Sequence, residues 1–145
     1  MTKTMMLRWP DGLTTEIFLQ QYWQQKPLFM PQAIPAAVSL LDANEVGGLS
    51  LEHEVESRII TFDAEADRWQ LRHGPFSEAD FDQLPATYWT LLVQDADKFL
   101  PDAEQLLKAF RFVPDWRLDD LMVSYAADQG SVGPHTDSYD VFLIQ

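Results

Sequence analysis

The sequence predicts a single α+β domain in which short helices flank strands rich in β-branched and aromatic residues. Of its 145 residues, 46% are hydrophobic and 12% are aromatic, enough for a packed core and too many for a disordered acidic tail. This length favours one domain. The chain has no cysteine, which excludes disulfides, thiolate zinc sites, iron–sulfur clusters and cysteine nucleophiles. Any metal site must therefore use His, Asp or Glu.

The charge of the chain favours a basic partner. It has 10 Lys and Arg against 23 Asp and Glu, a formal net charge of −13. Such a surface repels phosphate backbones, so we expect no direct contact with nucleic acid. The start of the chain lacks the pattern of a secretory signal, and no apolar run approaches the ~20 residues that a bilayer span needs. We therefore expect a cytoplasmic protein without a membrane contact.

The first half of the chain predicts a helix and a hairpin. The helix begins at Thr14, whose hydroxyl can cap free N–H groups, and its apolar stripe ends before Pro27. Residues 31–37 are expected to form a connector. Residues 56–62 and 68–73 have the composition of two strands around a turn at 63–67.

The second half predicts further short elements. Ser77 is expected to cap a helix, residues 88–94 to form a buried strand, and Pro101 to begin a helix that runs to about Phe110. Residues 121–126 predict a strand, and residues 128–134 a loop with two glycines and a proline. Another strand is expected from 135 to 145. Since that apolar run has no turn or polar tail after it, we expect the natural chain to continue and these residues to be a fragment.

A His-x-Asp unit at the start of this last strand predicts a metal site. Side chains alternate across a strand, so His135 and Asp137 are expected on one face, about 7 Å apart at Cα. Their face continues through Tyr139 to apolar residues, which would place the pair at the mouth of an apolar interior. An imidazole and a carboxylate are two members of the 2-His-1-carboxylate triad that holds non-haem Fe(II). The other histidines, His53 and His73, are expected to be solvated or to lie at the surface.

The segment that contains this unit resembles the JmjC-type cupin oxygenases of the bacterial ribosomal oxygenase group. The pattern GPHxDxYDVFL at residues 133–143 is its most specific part, and the similarity extends back through WTLLVQDAD (89–97), FVPDW (112–116) and WQQKPLF (23–29). The resemblance implies a double-stranded β-helix, or jelly-roll cupin barrel, of which this chain would be the N-terminal portion, truncated in mid-barrel.

The resemblance also implies an activity: hydroxylation of an arginine in a basic large-subunit ribosomal protein, with Fe(II), 2-oxoglutarate and O2. His135 and Asp137 would be two iron ligands. The third ligand, the basic residue that pairs with 2-oxoglutarate, a dimerisation region and a C-terminal domain would all follow residue 145. We therefore expect a homodimer at full length and no activity in the fragment.

Two further residues are candidates for substrate binding. Asp128 lies in the loop before His135, where its carboxylate can accept a forked pair of hydrogen bonds from a guanidinium group. Tyr139 could pack against the same planar group. The alternative hypothesis is a non-catalytic cupin-like module that binds a basic protein. A later histidine and a 2-oxoglutarate-pairing Arg or Lys would favour the enzyme; their absence would favour the module.

Overall fold

The computed structural model describes residues 5–145 and has the predicted mixture of helices and strands. The α-helices are α1 (Thr15–Gln21), α2 (Ala43–Leu49), α3 (Glu78–Asp82), α4 (Ala96–Phe99) and α5 (Pro101–Lys108), with 3-10 helices at Pro35–Ser39 and Asp115–Arg117. The strands are β1 (Ser57–Asp63), β2 (Arg68–His73), β3 (Trp89–Val93) and β4 (Val123–Ala126). The predicted α+β class is confirmed. None of the described helices is long and apolar enough to cross a bilayer.

The strands form one antiparallel sheet in the order β2-β1-β3-β4. Ile59 of β1 lies opposite Leu91 of β3, which lies opposite Tyr125 of β4. Ile59 and Leu91 are fully buried, and residues of α2 and the segment before α3 pack on the same face of the sheet. Burial of each such side chain stabilises the fold by about 1.5–3 kcal/mol. The hairpin and the buried strand that the sequence predicts are therefore both present.

Two of the predicted helix starts are confirmed by their hydrogen bonds. The Thr14 hydroxyl accepts from the Ile17 N–H at 3.3 Å, as an N-cap does. The hydroxyl and N–H of Ser77 both donate to Asp80 Oδ2, at 2.6 and 2.8 Å. Together with the Arg72 guanidinium, these bonds from Ser77 lower the pKa of Asp80 to about 2.

A second core joins α1 and α5 to the last described residues of the chain. Phe142 reaches into it, with ring centroids 4.6 Å from Phe110 and 5.4 Å from Trp23. Phe18 and Phe112 complete an aromatic cluster around it. Offset and edge-on aromatic contacts of this kind each contribute about 0.5–1.5 kcal/mol beyond area burial. Residues 135–145 are therefore fixed to the domain by a side chain.

The prediction of a strand from residue 135 to residue 145 is wrong. A strand needs a hydrogen-bonded neighbour, and none of the described strands pairs with this segment. Its backbone is irregular, Phe142 packs into the aromatic cluster, and Leu143 is 88% exposed. The alternation of side chains that the strand implied therefore has no structural basis here.

Smaller differences concern element ends and the short elements that the sequence pattern did not predict, which are α2, α4 and the two 3-10 helices. The first helix ends at Gln21, well before Pro27, and Gln24 already has a left-handed backbone with φ of 58°. The 31–37 connector leads into the 3-10 helix Pro35–Ser39. Helix α2 was not predicted because Gly47 and Gly48 interrupt its apolar pattern and lower its helix propensity.

Candidate metal centre

The loop after β4 is bound at its start to the residues around the beginning of β3. The Tyr88 N–H donates to the Asp128 carbonyl at 2.8 Å, and the Gly130 N–H donates to the Ala127 carbonyl at 2.7 Å. A Cβ atom on Gly130 would lie 2.2 Å from the Trp89 carbonyl oxygen and 2.8 Å from that of Ala127. Only glycine allows this close approach of two backbones.

A second glycine shapes the end of this loop. Gly133 has a φ of 77°, a left-handed conformation, and a Cβ there would lie 3.3 Å from the Trp69 ring. Its N–H donates to the Ser131 hydroxyl at 3.0 Å. Its carbonyl oxygen lies 2.9 Å from His135 Nδ1. The loop conformation therefore determines how the His135 ring is oriented.

This contact determines which nitrogen of His135 is available to a metal. A carbonyl oxygen can only accept, so Nδ1 carries the proton and the neutral ring has its lone pair on Nε2. Nε2 lies 3.7 Å from Asp137 Oδ2, and both side chains are partly exposed. The prediction that His135 and Asp137 lie on one side of the chain agrees with this distance. The segment is not part of a sheet, so this proximity rests on the observed contact between the two side chains and not on a paired strand.

The two donors fit a shared divalent cation. Neighbouring ligands of an octahedral ion at about 2.1 Å are about 3 Å apart, so the observed 3.7 Å is closed by a small side-chain rotation. A hydrogen bond from the non-coordinating ring nitrogen to a backbone carbonyl is a common support of ligating histidines. His135 Nε2 and an Asp137 carboxylate oxygen are thus suitable ligands for Fe(II).

Within residues 5–145, no cluster of three or more His, Asp or Glu side chains is suited to hold a metal ion. His53 and His73 are both exposed, as expected, and lie outside the loop. Among the described residues, His135 and Asp137 are therefore a candidate pair of ligands and not a complete metal site.

The structure places the two candidate substrate residues at the surface. Asp128 is exposed, and its carboxylate has no hydrogen bond or ion pair with any of residues 5–145. Its backbone, in contrast, is fixed by the Tyr88 contact and by a bridge to Thr87. Tyr139 is 72% exposed, and the expectation that it shares a strand face with His135 no longer has support.

A cavity of about 450 Å³ lies beside residues 140–142. Its lining is mixed: aromatic residues that include Trp9, Phe18 and Trp23 lie beside the polar residues Gln24 and Lys26. Neither His135 nor Asp137 is among the described residues that line it. The predicted position of the pair at the mouth of an apolar interior is therefore corrected: the cavity has a mixed lining and adjoins the residues that follow the pair.

Comparisons with known proteins agree with the resemblance. Residues 105–145 match the JmjC domain family. The chain is 40% identical over 139 residues to the ribosomal protein uL16 3-hydroxylase of Escherichia coli, covering 96% of this chain and 35% of that protein. It is 41% identical over 136 residues to the probable ribosomal oxygenase of Haemophilus influenzae, covering 94% of this chain and 33% of that protein.

Solved structures show the same relationship in three dimensions. The fold matches YcfD, a ribosomal oxygenase from Escherichia coli, with a TM-score of 0.83 and 35% identity over 93% of this chain and 35% of that one. A structure of YcfD with cobalt and 2-oxoglutarate matches with a TM-score of 0.81 and 35% identity, over 92% of this chain and 35% of that one. The predicted resemblance and the JmjC/cupin type of fold are confirmed. The chain spans about a third of the length of these relatives.

Proposed function

Because this chain is related to the JmjC-type ribosomal oxygenases along nearly its whole length, we propose that it is the N-terminal portion of an Fe(II)- and 2-oxoglutarate-dependent oxygenase. The reaction we infer is hydroxylation of an arginine side chain in a large-subunit ribosomal protein. The observation that carries the proposal is the His135–Asp137 pair, oriented by a glycine turn within the part that resembles these enzymes.

In this proposal His135 and Asp137 hold Fe(II), and a third ligand comes from outside residues 5–145. With 2-oxoglutarate and O2 as co-substrates, such a centre supplies the oxidation that hydroxylates a C–H bond. The Gly133 carbonyl keeps the proton on His135 Nδ1, so that Nε2 remains a ligand. Asp137 contributes the negative charge that a cation requires beside a neutral imidazole. We assign the basic side chain that pairs with 2-oxoglutarate to a part of the full-length protein outside these 145 residues.

Charge and loop geometry support a basic substrate. The net charge of −13 attracts a cationic ribosomal protein and disfavours direct contact with RNA. The Asp128 carboxylate has no partner among residues 5–145 and stands on a fixed backbone, which suits forked hydrogen bonds from a guanidinium group. The exposed Tyr139 ring is available to pack against the same group. We also propose that the full-length protein is a homodimer in the cytoplasm, as the resemblance to the ribosomal oxygenases implies.

The test uses a protein that carries this sequence at the full length of its relatives. Incubated with Fe(II), 2-oxoglutarate and a basic ribosomal-protein peptide, it should add one oxygen atom to an arginine and release succinate. We expect His135→Ala and Asp137→Ala to lose both signals, since either change removes a metal ligand. His53→Ala, at an exposed histidine, is the matched control and should keep wild-type turnover.

The readouts are the peptide mass and succinate release. Turnover that survives Asp137→Ala would contradict the proposed ligand role. Peptide binding without oxygen addition, in a protein whose later strands lack a histidine, would instead establish the alternative of a non-catalytic module.

A further inference from the structure

We propose that Gln24, Arg117 and Asp140 form a polar clamp that positions His135 and Asp137 for metal binding. Asp140 is then a positioning residue: it acts by fixing the segment that carries the two ligands. The inference rests on the proposed function, since it takes His135 and Asp137 to be metal ligands.

The clamp is made of contacts between residues distant in sequence. Gln24 Nε2 donates to Asp140 Oδ2 at 2.8 Å across 116 residues of sequence. An Arg117 guanidinium nitrogen lies 3.9 Å from the same oxygen. The guanidinium also lies over two indole rings, 5.6 Å from the Trp23 centroid and 5.8 Å from that of Trp116. Aromatic contacts thus keep the cation beside the carboxylate.

The segment between the metal pair and the clamp is short. Asp140 follows Asp137 by three residues, which span at most about 10 Å of extended chain. No described strand pairs with residues 135–145, and the contacts that Asp140 and Phe142 make with the rest of the described chain are side-chain contacts. On the upstream side, Gly133 packs against Trp69. The pair is therefore held between a glycine turn and the clamp.

Loss of the clamp should weaken metal binding by reducing the fraction of molecules in which the ligands are correctly placed. The apparent dissociation constant rises by the inverse of that fraction. One hydrogen bond contributes about 0.5–1.5 kcal/mol, which corresponds to an approximately 3- to 10-fold weaker affinity. Because this contact lies at the surface and outside both cores, global stability should hardly change.

The cleanest variant is Gln24→Ala, which removes the hydrogen bond without altering charge. We expect Mn(II), detected by paramagnetic broadening of the His135 ring signals, to bind about 3- to 10-fold more weakly to this variant. Gln20→Ala, at an exposed glutamine of α1, is the control and should bind as wild type. The thermal midpoint of both should stay within about 2 °C of wild type. A merely structural role would move the midpoint instead.

A second variant removes the Asp140 carboxylate, which accepts the hydrogen bond from Gln24. Asp140→Ala should also weaken Mn(II) binding. Its control is Asp119→Ala, which removes the same charge at an exposed carboxylate outside the clamp and should bind Mn(II) as wild type does. Asp140→Asn keeps an acceptor for Gln24 and should restore part of the affinity. Wild-type affinity in both Gln24→Ala and Asp140→Ala would overturn the clamp alone. Failure of wild type to show any His135-specific broadening would overturn the proposed function and the clamp with it.

Discussion

Replacing Gly130 with alanine should lower the free energy of unfolding by about 2–3 kcal/mol. The new methyl group would lie 2.2 Å from the Trp89 carbonyl oxygen and 2.8 Å from that of Ala127. Both obstacles are backbone atoms, so a side-chain rotation cannot relieve the clash. The loop must move away from β3, and this breaks the 2.7 Å hydrogen bond from the Gly130 N–H. Because the same loop leads to His135, metal binding should weaken as well.

Urea denaturation followed by tryptophan fluorescence measures this effect. Gly47→Ala is the control, since a Cβ there meets nothing within 4 Å and lies inside α2. That change should stabilise the protein by about 0.5–1 kcal/mol, because alanine has the higher helix propensity. Equal unfolding free energies for wild type and Gly130→Ala would mean that the loop does not pack on β3 as described.

Replacing Asp128 with asparagine should reduce kcat/KM for an arginine peptide by about 10- to 150-fold in a protein of full family length. The estimate is the cost of about 1.5–3 kcal/mol for losing a charge-assisted hydrogen bond to a guanidinium group. The carboxylate is exposed and unpaired within residues 5–145, while its backbone is fixed at 2.8 Å to Tyr88. Fe(II) and 2-oxoglutarate should bind nearly unchanged, since Asp128 is neither ligand nor cofactor contact in the proposal.

Turnover of paired arginine and lysine peptides, measured by mass spectrometry, decides the role of Asp128. Asp128→Asn should lose more turnover on the arginine peptide than on the lysine peptide, because a lysine ammonium group cannot form the forked pair of hydrogen bonds. Asp119→Asn, at another exposed carboxylate, serves as the charge-matched control. Equal rates of wild type and Asp128→Asn on the arginine peptide would remove Asp128 from substrate binding.

Local patterns predicted the elements whose stability is local. The hairpin of β1 and β2 and the helix starts at Thr14 and Ser77 depend on residues that are neighbours in sequence. The buried strand β3 pairs with distant residues, and its β-branched and aromatic composition alone predicted it. In contrast, the apolar run at 141–144 predicted a strand that the described structure does not contain. The composition of a segment indicates its β propensity but not whether a partner strand lies beside it. Phe142 instead packs against Phe18 of α1 and against Phe110 and Phe112, which follow α5.

The candidate site shows the same division. The proximity of His135 to Asp137 follows from their spacing and from a glycine two residues before the histidine, so the sequence could predict it. The contact between Gln24 and Asp140 spans 116 residues, and no local pattern indicates it. The close approach of Gly130 to the Trp89 carbonyl is likewise a tertiary feature, although a glycine in a loop is a weak signal for one.

The central claim, that His135 and Asp137 bind one divalent metal ion, is tested most directly by titrating the 145-residue chain with Mn(II) and following its three histidine ring signals. We expect weak binding, since two protein ligands leave most positions to water, with His135 broadened first and His53 and His73 spared. In Asp137→Ala the selective broadening of His135 should disappear. Equal broadening of all three rings, or selective broadening that persists in Asp137→Ala, would contradict the proposed metal centre.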